Sequence, residues 1–452
     1  MSEFLESVDP STGAVIGRVP ITPTDAIPAI VARAQAAQPA WAELSFEARG
    51  AKLAAAVDAL LAEADELGTL IAREMGKPVR EGIGEVRAAL AGVRDTLREI
   101  EAALAPEVQE TAHTRSTLFR DPYGVAACIA PWNFPLLTAH DQVLPALAAG
   151  NAVVFKPSEN TPLVGEAYAR RLLEHLPEGV FQIVHGAGPV GRALVQSDVD
   201  LVVFTGSRET GRSILEEASR SFKRVILELG GKDPMIVLDD ADLDAAARFA
   251  ARSSFRNAGQ VCVSTERIFV TNDHHDVFVR KLVEEAEKFR VGPSLEDGVR
   301  MGPMVHAQQK AKVEAQVARA LEMGAKLEYK SPVTEGNFLG PIVLSNVTHD
   351  MEIAREETFG PVACVMRVAD EDEAVRAAND TRFGLGAVVF GEPEHARRVA
   401  RRLTAGMVGI NQSVTSAIGT PWVGARESGY GFHSGREGHR QFTQLRVIHE
   451  PI

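Results

Sequence analysis

The chain has 452 residues, with 48 Lys and Arg against 61 Asp and Glu, a net charge of −13 at pH 7 with His neutral. That acidic balance excludes a nucleic-acid or anionic-membrane surface, which needs clustered positive charge. Three cysteines cannot form a disulfide framework in so long a chain, and the odd number leaves at least one thiol free, as in a reducing cytoplasm.

At about 150 residues per domain, the length suggests about three domains. The N-terminus, MSEFLESVDPSTG, lacks a basic region followed by an apolar stretch, so no secretory signal is expected. The longest uncharged run, Tyr123 to Ala139, holds two prolines and is too broken to span a bilayer. Residues 22–103 are rich in Ala, Glu, Arg and Leu with apolar spacing near 3.6. TDAIPAIVARAQAAQPAW, FEARGAKLAAAVDALLAEADELGTLIAREMG and EGIGEVRAALAGVRDTLREIEAAL read as helices, with Gly76-Lys77-Pro78 stopping the second. From Ala105 to Tyr123 the composition turns polar and Thr-rich, which suggests an extended arm.

From Gly124 onward, strands alternate with helices. GVAACIAP, NAVVFKP, VFQIVHG and DLVVFTGS are short apolar runs ending at Gly, Pro or Ser. LVGEAYARRLLEHL, VGRALVQS and RETGRSILEEASRS read as helices between them. Continuous apolar runs of this kind suit buried parallel strands in βαβ units. After Leu229-Gly230-Gly231 a second series begins, with PMIVLDD, LDAAARFAARSSF, ERIFVTN and HDVFVRKLVEEAEKFR. QFTQLRVIHEPI reads as a terminal strand.

Several constellations carry possible chemistry. Cys262 follows Gly259-Gln260-Val261 in a loop between a helix and a strand, where a thiol can serve as a nucleophile. A lone cysteine is also commonly a small buried hydrophobe, as Cys128 and Cys364 read from their apolar flanks. Glu228 ends an apolar strand before paired glycines. Desolvation there would raise its pKa toward that of a general base, unless it faces solvent. Pro131 and Pro135 bracket Asn133 and fix the backbone around an amide donor, which suits an oxyanion or simply a turn. Two glycine patterns compete for a phosphate. Gly186-Ala187-Gly188-Pro189-Val190-Gly191 is a literal GxGxxG without a convincing acid about twenty residues on. Thr205-Gly206-Ser207 opens a helix that Ser207 can cap. Lys156 and Glu159 flank a strand end, where α/β sheets bind ligands. Glu357 and Phe359 pair a carboxylate with an aromatic ring, for a ribose and a flat base or for a helix end.

Ile129-Ala130-Pro131-Trp132-Asn133-Phe134-Pro135, Lys156-Pro157-Ser158-Glu159, Phe204-Thr205-Gly206-Ser207, Glu228-Leu229-Gly230-Gly231, Gly259-Gln260-Val261-Cys262 and Glu357-Thr358-Phe359-Gly360-Pro361 occur in the order and approximate spacing of the aldehyde dehydrogenase superfamily. The chain resembles that family from Asp9-Pro10-Ser11-Thr12-Gly13 to its last strand. The resemblance implies an α/β fold with two Rossmann-like open-sheet domains and a small discontinuous β arm for oligomerisation. The cofactor domain would take residues 1–103 and 123–230, the catalytic domain 231–432, and the arm 104–122 with 433–452. It implies Cys262 as nucleophile, Glu228 as general base, and Asn133 with the Cys262 amide as oxyanion hole. Cofactor contacts would be Ile129, Trp132, Lys156, Ser158, Glu159, Gly186, Gly191, Phe204, Gly206, Ser207, Leu229, Glu357 and Phe359, with Gly188 demoted. Phe134, Val261 and Trp422 would face the substrate. The implied reaction oxidises an aldehyde to its acid through a thiohemiacetal and a thioester on Cys262. NAD is the expected cofactor, with NADP possible, because a carboxylate at Glu159 repels a 2′-phosphate. No metal is expected, and the assembly would be a homodimer or homotetramer.

Two segments depart from the family. Pro421-Trp422-Val423-Gly424-Ala425-Arg426-Glu427-Ser428-Gly429 replaces a loop usually close to Pro-Phe-Gly-Gly-x-Lys-x-Ser-Gly, and Phe432-His433-Ser434 departs from a Gly-Arg-Glu run. His140 and Asp141, about two helical turns after Asn133, could wall the substrate tunnel or face a neighbouring helix. Two rival readings remain. In a coenzyme-A-acylating semialdehyde dehydrogenase, coenzyme A takes the acyl group and Glu228 is not needed. In a non-catalytic protein on the same scaffold, Cys262, Glu228 and Asn133 would have no reason to be intact.

Overall fold

A computed structural model describes residues 3–414, 417 and 419–452. Two large sheets carry the fold. The first has six strands in the order Gly429–Tyr430, Arg224–Glu228, Leu201–Thr205, Val125–Ile129, Ala152–Lys156, Phe181–Ile183. Its strands are parallel except for the short first one. Alternate residues serve opposite faces. Ala126, Cys128, Val153, Phe155 and Val203 pack with the helices around Trp41, Leu53 and Tyr168, whereas Val125, Ala127, Val154 and Val202 pack against Ile27, Val31 and Leu194. That period of two with both faces covered is why these strands read as unbroken apolar runs.

Register sets the site. Ile129 pairs with both Lys156 and Phe204, and Thr205 pairs with Glu228. The carboxyl ends of four strands therefore finish level. The chain order reverses between Val125–Ile129 and Leu201–Thr205, the switch point at which open α/β sheets bind ligands.

The second sheet has seven strands in the order Lys326–Lys330, Ile342–Ser345, Val362–Val368, Thr265–Thr271, Asp233–Val237, Gly386–Phe390, Met407–Ile410, parallel apart from the first pair. A third sheet joins Glu107–Glu110, Thr114–Pro122 and Thr443–Pro451, all antiparallel, and so draws on two distant segments of the chain.

Three expectations change. The helical region comprises five helices, Ile27–Glu43, Phe46–Ala62, Ala64–Met75, Val79–Leu90 and Val93–Leu104. The expected long third helix breaks at Gly92, whose φ of +80° is left-handed. Gly68 and Gly82 let two of these helices touch, since a Cβ on Gly82 would lie 2.3 Å from the Gly68 carbonyl oxygen. The domain boundary also differs from the expected one at residue 432. Gly429 and Tyr430 pair with Glu228 and Leu227, so the segment expected in the catalytic domain forms an edge of the cofactor sheet.

Candidate active site

Cys262 lies just after the 3₁₀ turn Arg256–Gly259 and before the strand Thr265–Thr271. Asn257, Ala258 and Gly259 have φ of +52°, +54° and +70°, three left-handed residues in a row. Such backbone is unfavourable for Asn and Ala and persists only where neighbours over-determine it. Here the Asn257 amide donates to the Asn133 and Gln260 carbonyls at 3.3 and 3.2 Å, and the Gln260 amide donates back to the Asn257 carbonyl at 2.9 Å. Val305 N–H donates to Gln260 Oε1 at 2.9 Å. A Cβ on Gly259 would strike the Gly360 carbonyl. The thiol is therefore presented by a turn pinned from three sides.

Cys262 Sγ lies 3.7 Å from Glu228 Oε1. The same oxygen accepts the Trp422 indole N–H at 2.7 Å, while Oε2 accepts the Thr205 hydroxyl at 3.1 Å and faces His433 Nε2 at 3.6 Å. This corrects one expectation. Burial alone would raise the Glu228 pKa, but the His433, Thr205 and Trp422 donors outweigh it and hold the carboxylate below its usual value. The thiol shifts oppositely. Burial first, then the Glu228, Asp233 and Glu357 charges, hold Cys262 well above an ordinary thiol. At rest it is a protonated thiol aimed at an ionised carboxylate.

The Asn133 amide donates one hydrogen to the Gln260 carbonyl at 3.1 Å. An amide NH₂ has two, and the second has no acceptor among the described residues. The Asn133 backbone is held by Lys77, whose ammonium donates to its carbonyl at 2.8 Å. Lys77 also pairs with Glu85 at 2.5 Å, with both side chains 1% exposed, and lies 3.9 Å from the centre of the Phe134 ring. Glu85 Oε1 in turn accepts the Leu136 and Leu137 amides. The sequence offered Gly76-Lys77-Pro78 only as a helix stop. A buried Lys and Glu eight residues apart, before and inside a helix, were the unused signal.

A cleft of about 770 Å³ runs along the switch point, lined by Ile129, Trp132, Lys156, Ser158, Glu159, Gly191, Phe204, Gly206 and Ser207 among others. The Ser207 hydroxyl caps the helix Arg208–Ser219 by accepting from Thr210 N–H at 3.3 Å. The volume and polar rim fit a dinucleotide, and the first amides of that helix fit a pyrophosphate. A Cβ on Gly206 would lie 2.4 Å from the Phe204 ring, so the close turn there requires glycine. Thr205 both lines the cleft and bonds Glu228, which joins the cleft to the thiol site. Glu357 accepts from Gly231 N–H at 3.1 Å, and Phe359 packs edge-on against Trp132 with ring centres 5.5 Å apart. Glu266 fixes that loop by accepting the Thr358 and Phe359 amides, and itself pairs with buried Lys232.

The structure separates some expected contacts. Gly186 does not line the cleft: a Cβ there would strike Val190. Gly188, which had been set aside, does line it. Leu229 packs against Gly211. Phe134 and Val261 are half-buried beside Asn133 and Cys262. His140 and Asp141 part company. His140 is buried on Tyr168, 3.3 Å from its hydroxyl, and burial pushes its pKa down to about 4. Asp141 is placed with Glu228 and His433, and burial raises it to about 6. Cys128 and Cys364 are core residues.

A thiol lies against a carboxylate at the edge of a dinucleotide-sized cleft in a doubly wound sheet, a combination that suits a dinucleotide-dependent dehydrogenase. Residues 1–448 match the aldehyde dehydrogenase family. The glutarate-semialdehyde dehydrogenase of Pseudomonas putida is 37% identical over 99% of this chain and 94% of its own length. A betaine aldehyde dehydrogenase of Sinorhizobium fredii is 37% identical over 98% of this chain and 93% of its own. A solved NADP-dependent enzyme of Escherichia coli superposes with a TM-score of 0.96 at 36% identity, covering 100% of this chain and 95% of that one. The chain belongs to the aldehyde dehydrogenase family. It is an NAD(P)-dependent enzyme that oxidises aldehydes to carboxylic acids. Among the described residues, no helix is long and apolar enough to cross a membrane.

Proposed function

We propose that Cys262, Glu228 and Asn133 carry the oxidation, with water as acyl acceptor. The carrying observation is the 3.7 Å contact between Cys262 Sγ and Glu228 Oε1. As the sulfur bonds to the aldehyde carbon, the thiol proton passes to Glu228. The carbonyl oxygen becomes an oxyanion, for which the second Asn133 N–H is placed. A nicotinamide cofactor held along Trp132, Phe204, Gly206 and Ser207 would supply the hydride acceptor, and loss of hydride from the adduct leaves the acyl group on Cys262 as a thioester. Glu228 releases the first proton to solvent and then takes one from the attacking water. Collapse of that adduct expels the Cys262 sulfur, which recovers a proton from Glu228 and frees the acid. Because Glu228 is present and aimed at the thiol, coenzyme A is not needed as acceptor.

Lys156 and Glu159 would hold the adenosine ribose. Lys156 already donates to the Pro157 carbonyl at 3.1 Å and lies 3.5 Å from Glu159, so its charge is engaged. This favours NAD over NADP. For substrate, Trp422, Phe134 and Val261 frame an apolar approach, and Asp141 beside Glu228 opposes a second carboxylate. Short aliphatic aldehydes therefore fit better than semialdehydes. Free cysteines support a cytoplasmic location. The strand Thr443–Pro451 leaves Leu445, Val447 and Ile448 exposed, which supports exchange of the arm with another copy of the chain.

The test is pre-steady-state kinetics with a panel of aldehydes. Cys262→Ala should lose turnover while binding NAD. Glu228→Gln should slow the turnover that follows the NADH burst more than the burst itself. Dehydrogenase activity in Cys262→Ala would sink the assignment.

A further inference from the structure

We propose that His433 is a positioning residue: oriented by Ser434, it holds Glu228 facing the thiol and keeps that carboxylate ionised between its two proton transfers. The inference rests on the reading of Glu228 as the base. That reading demands more of Glu228 than nearness to sulfur. One carboxylate accepts the thiol proton, must be discharged, and then accepts a proton from water. A buried carboxylate with no cationic neighbour would keep the first proton.

His433 supplies that neighbour. Its Nε2 faces Glu228 Oε2 at 3.6 Å, opposite the oxygen that touches Cys262. Its Nδ1 lies 2.9 Å from Ser434 Oγ. With one ring nitrogen on Ser434 and the other toward Glu228, the imidazole is oriented at both ends. Ser434 is itself held at φ 62° and ψ 159°, a backbone region almost confined to glycine. Strain of that kind persists only when surroundings impose it. Here the next residue, Gly435, sits so tightly that a Cβ would lie 2.7 Å from the Thr420 carbonyl carbon. The backbone is bent at the residue whose hydroxyl meets the imidazole.

Other charges around His433 agree. Asp141, from the helix Leu137–Ala148, favours the imidazolium together with Glu228, and their joint effect outweighs burial and raises the His433 pKa. Cys262 lies beyond Glu228 as a neutral thiol. From the helix Gly435–Arg440, His439 opposes a charge on His433 but is itself held low by burial, and its Nε2 lies 3.7 Å from Glu99. Arg436 and Arg440 of that helix are turned to Glu107. The strand Trp422–Val423 contributes only the indole N–H to Glu228. Among the described residues, the imidazolium thus faces two carboxylates with no cation against it.

The experiment compares His433→Phe, His433→Gln and Ser434→Ala with wild type, measuring kcat and KM across pH and the NADH burst. Loss of the imidazolium raises the proton affinity of Glu228, so the acidic limb of kcat should move up by about one pH unit or more. Below the wild-type limb kcat should fall about tenfold or more, and it should recover at high pH. The aldehyde KM and the burst amplitude should stay near wild type. His433→Gln keeps a donor without the charge, so it should show the same shifted limb with a higher plateau. Ser434→Ala should shift the limb less, in the same direction. NAD binding reports folding, and His433→Gln and Ser434→Ala carry the test if His433→Phe does not fold. An unmoved limb in His433→Gln overturns the proposal, as does a loss of kcat that is equal at every pH. If Glu228→Gln itself deacylates normally, the base assignment fails instead.

Discussion

Replacing Lys77 with Met tests how Asn133, the proposed oxyanion donor, is held. The ammonium donates to Glu85 Oε2 at 2.5 Å and to the Asn133 carbonyl at 2.8 Å, and almost none of the pair meets water. Without it, Glu85 keeps only the Leu136 and Leu137 amides. Removing one partner of a buried pair costs about 3–5 kcal/mol, because the remaining charge is left uncompensated. Lys77→Met should therefore lower unfolding free energy by that amount, read from urea unfolding followed by tryptophan fluorescence. Lys77→Met with Glu85→Gln should recover more than half, since a neutral Gln oxygen still accepts both amides. Activity should not recover with stability. The Asn133 carbonyl will have lost one of its two donors, and kcat should stay about tenfold down, less than the 10²–10³ for outright loss of an oxyanion donor. The reasoning is refuted if Lys77→Met is within about 1 kcal/mol of wild type, or if the double variant is no more stable than the single.

Other outcomes follow from the same geometry. Glu74 is buried on Ser7 and the Leu163 and Val164 amides, yet burial raises it to about 7. An acid raised on folding favours the native state below its unfolded pKa and loses that advantage as pH rises through the folded value. Unfolding free energy should thus decline by about 3 kcal/mol between about pH 4.5 and 7 on this account, and a Glu74→Gln chain whose decline is just as steep would exclude it. Glu159→Gln should raise kcat/KM with NADP relative to NAD by about tenfold, whereas a wild-type preference for NADP would refute the role given to Glu159. Trp422→Phe removes a hydrogen bond to an ionised carboxylate, worth about 1.5–3 kcal/mol; turnover should slow more than the burst, and equal slowing of both would count against it.

The sheets were legible because strands buried on both faces must be apolar throughout, as in Val125–Ile129 and Ala152–Lys156. The candidate site was legible because Cys262, Glu228 and Asn133 sit at turns whose neighbours are themselves unusual. What could not be read was long-range pairing. Nothing local to His433 or Trp422 says that either reaches Glu228, about 200 residues earlier, and strand pairings of such separation are set by the whole fold. The raised base expected from a strand-end Glu failed for that reason: its donors come from elsewhere in the chain. Lys77 was missed because a buried ammonium and a helix-stopping lysine look alike until Glu85 is placed beside it. Gly186 was misplaced because a glycine spacing does not say which Cα faces the cleft.

The segment 422–433 supplies the indole, the edge strand and the imidazole around Glu228. Two of the groups that set the charge state of Glu228 thus belong to a piece of chain separate from both the strand that carries it and the turn that carries Cys262. Variation within 422–433 can therefore retune the carboxylate while leaving the thiol turn as it is.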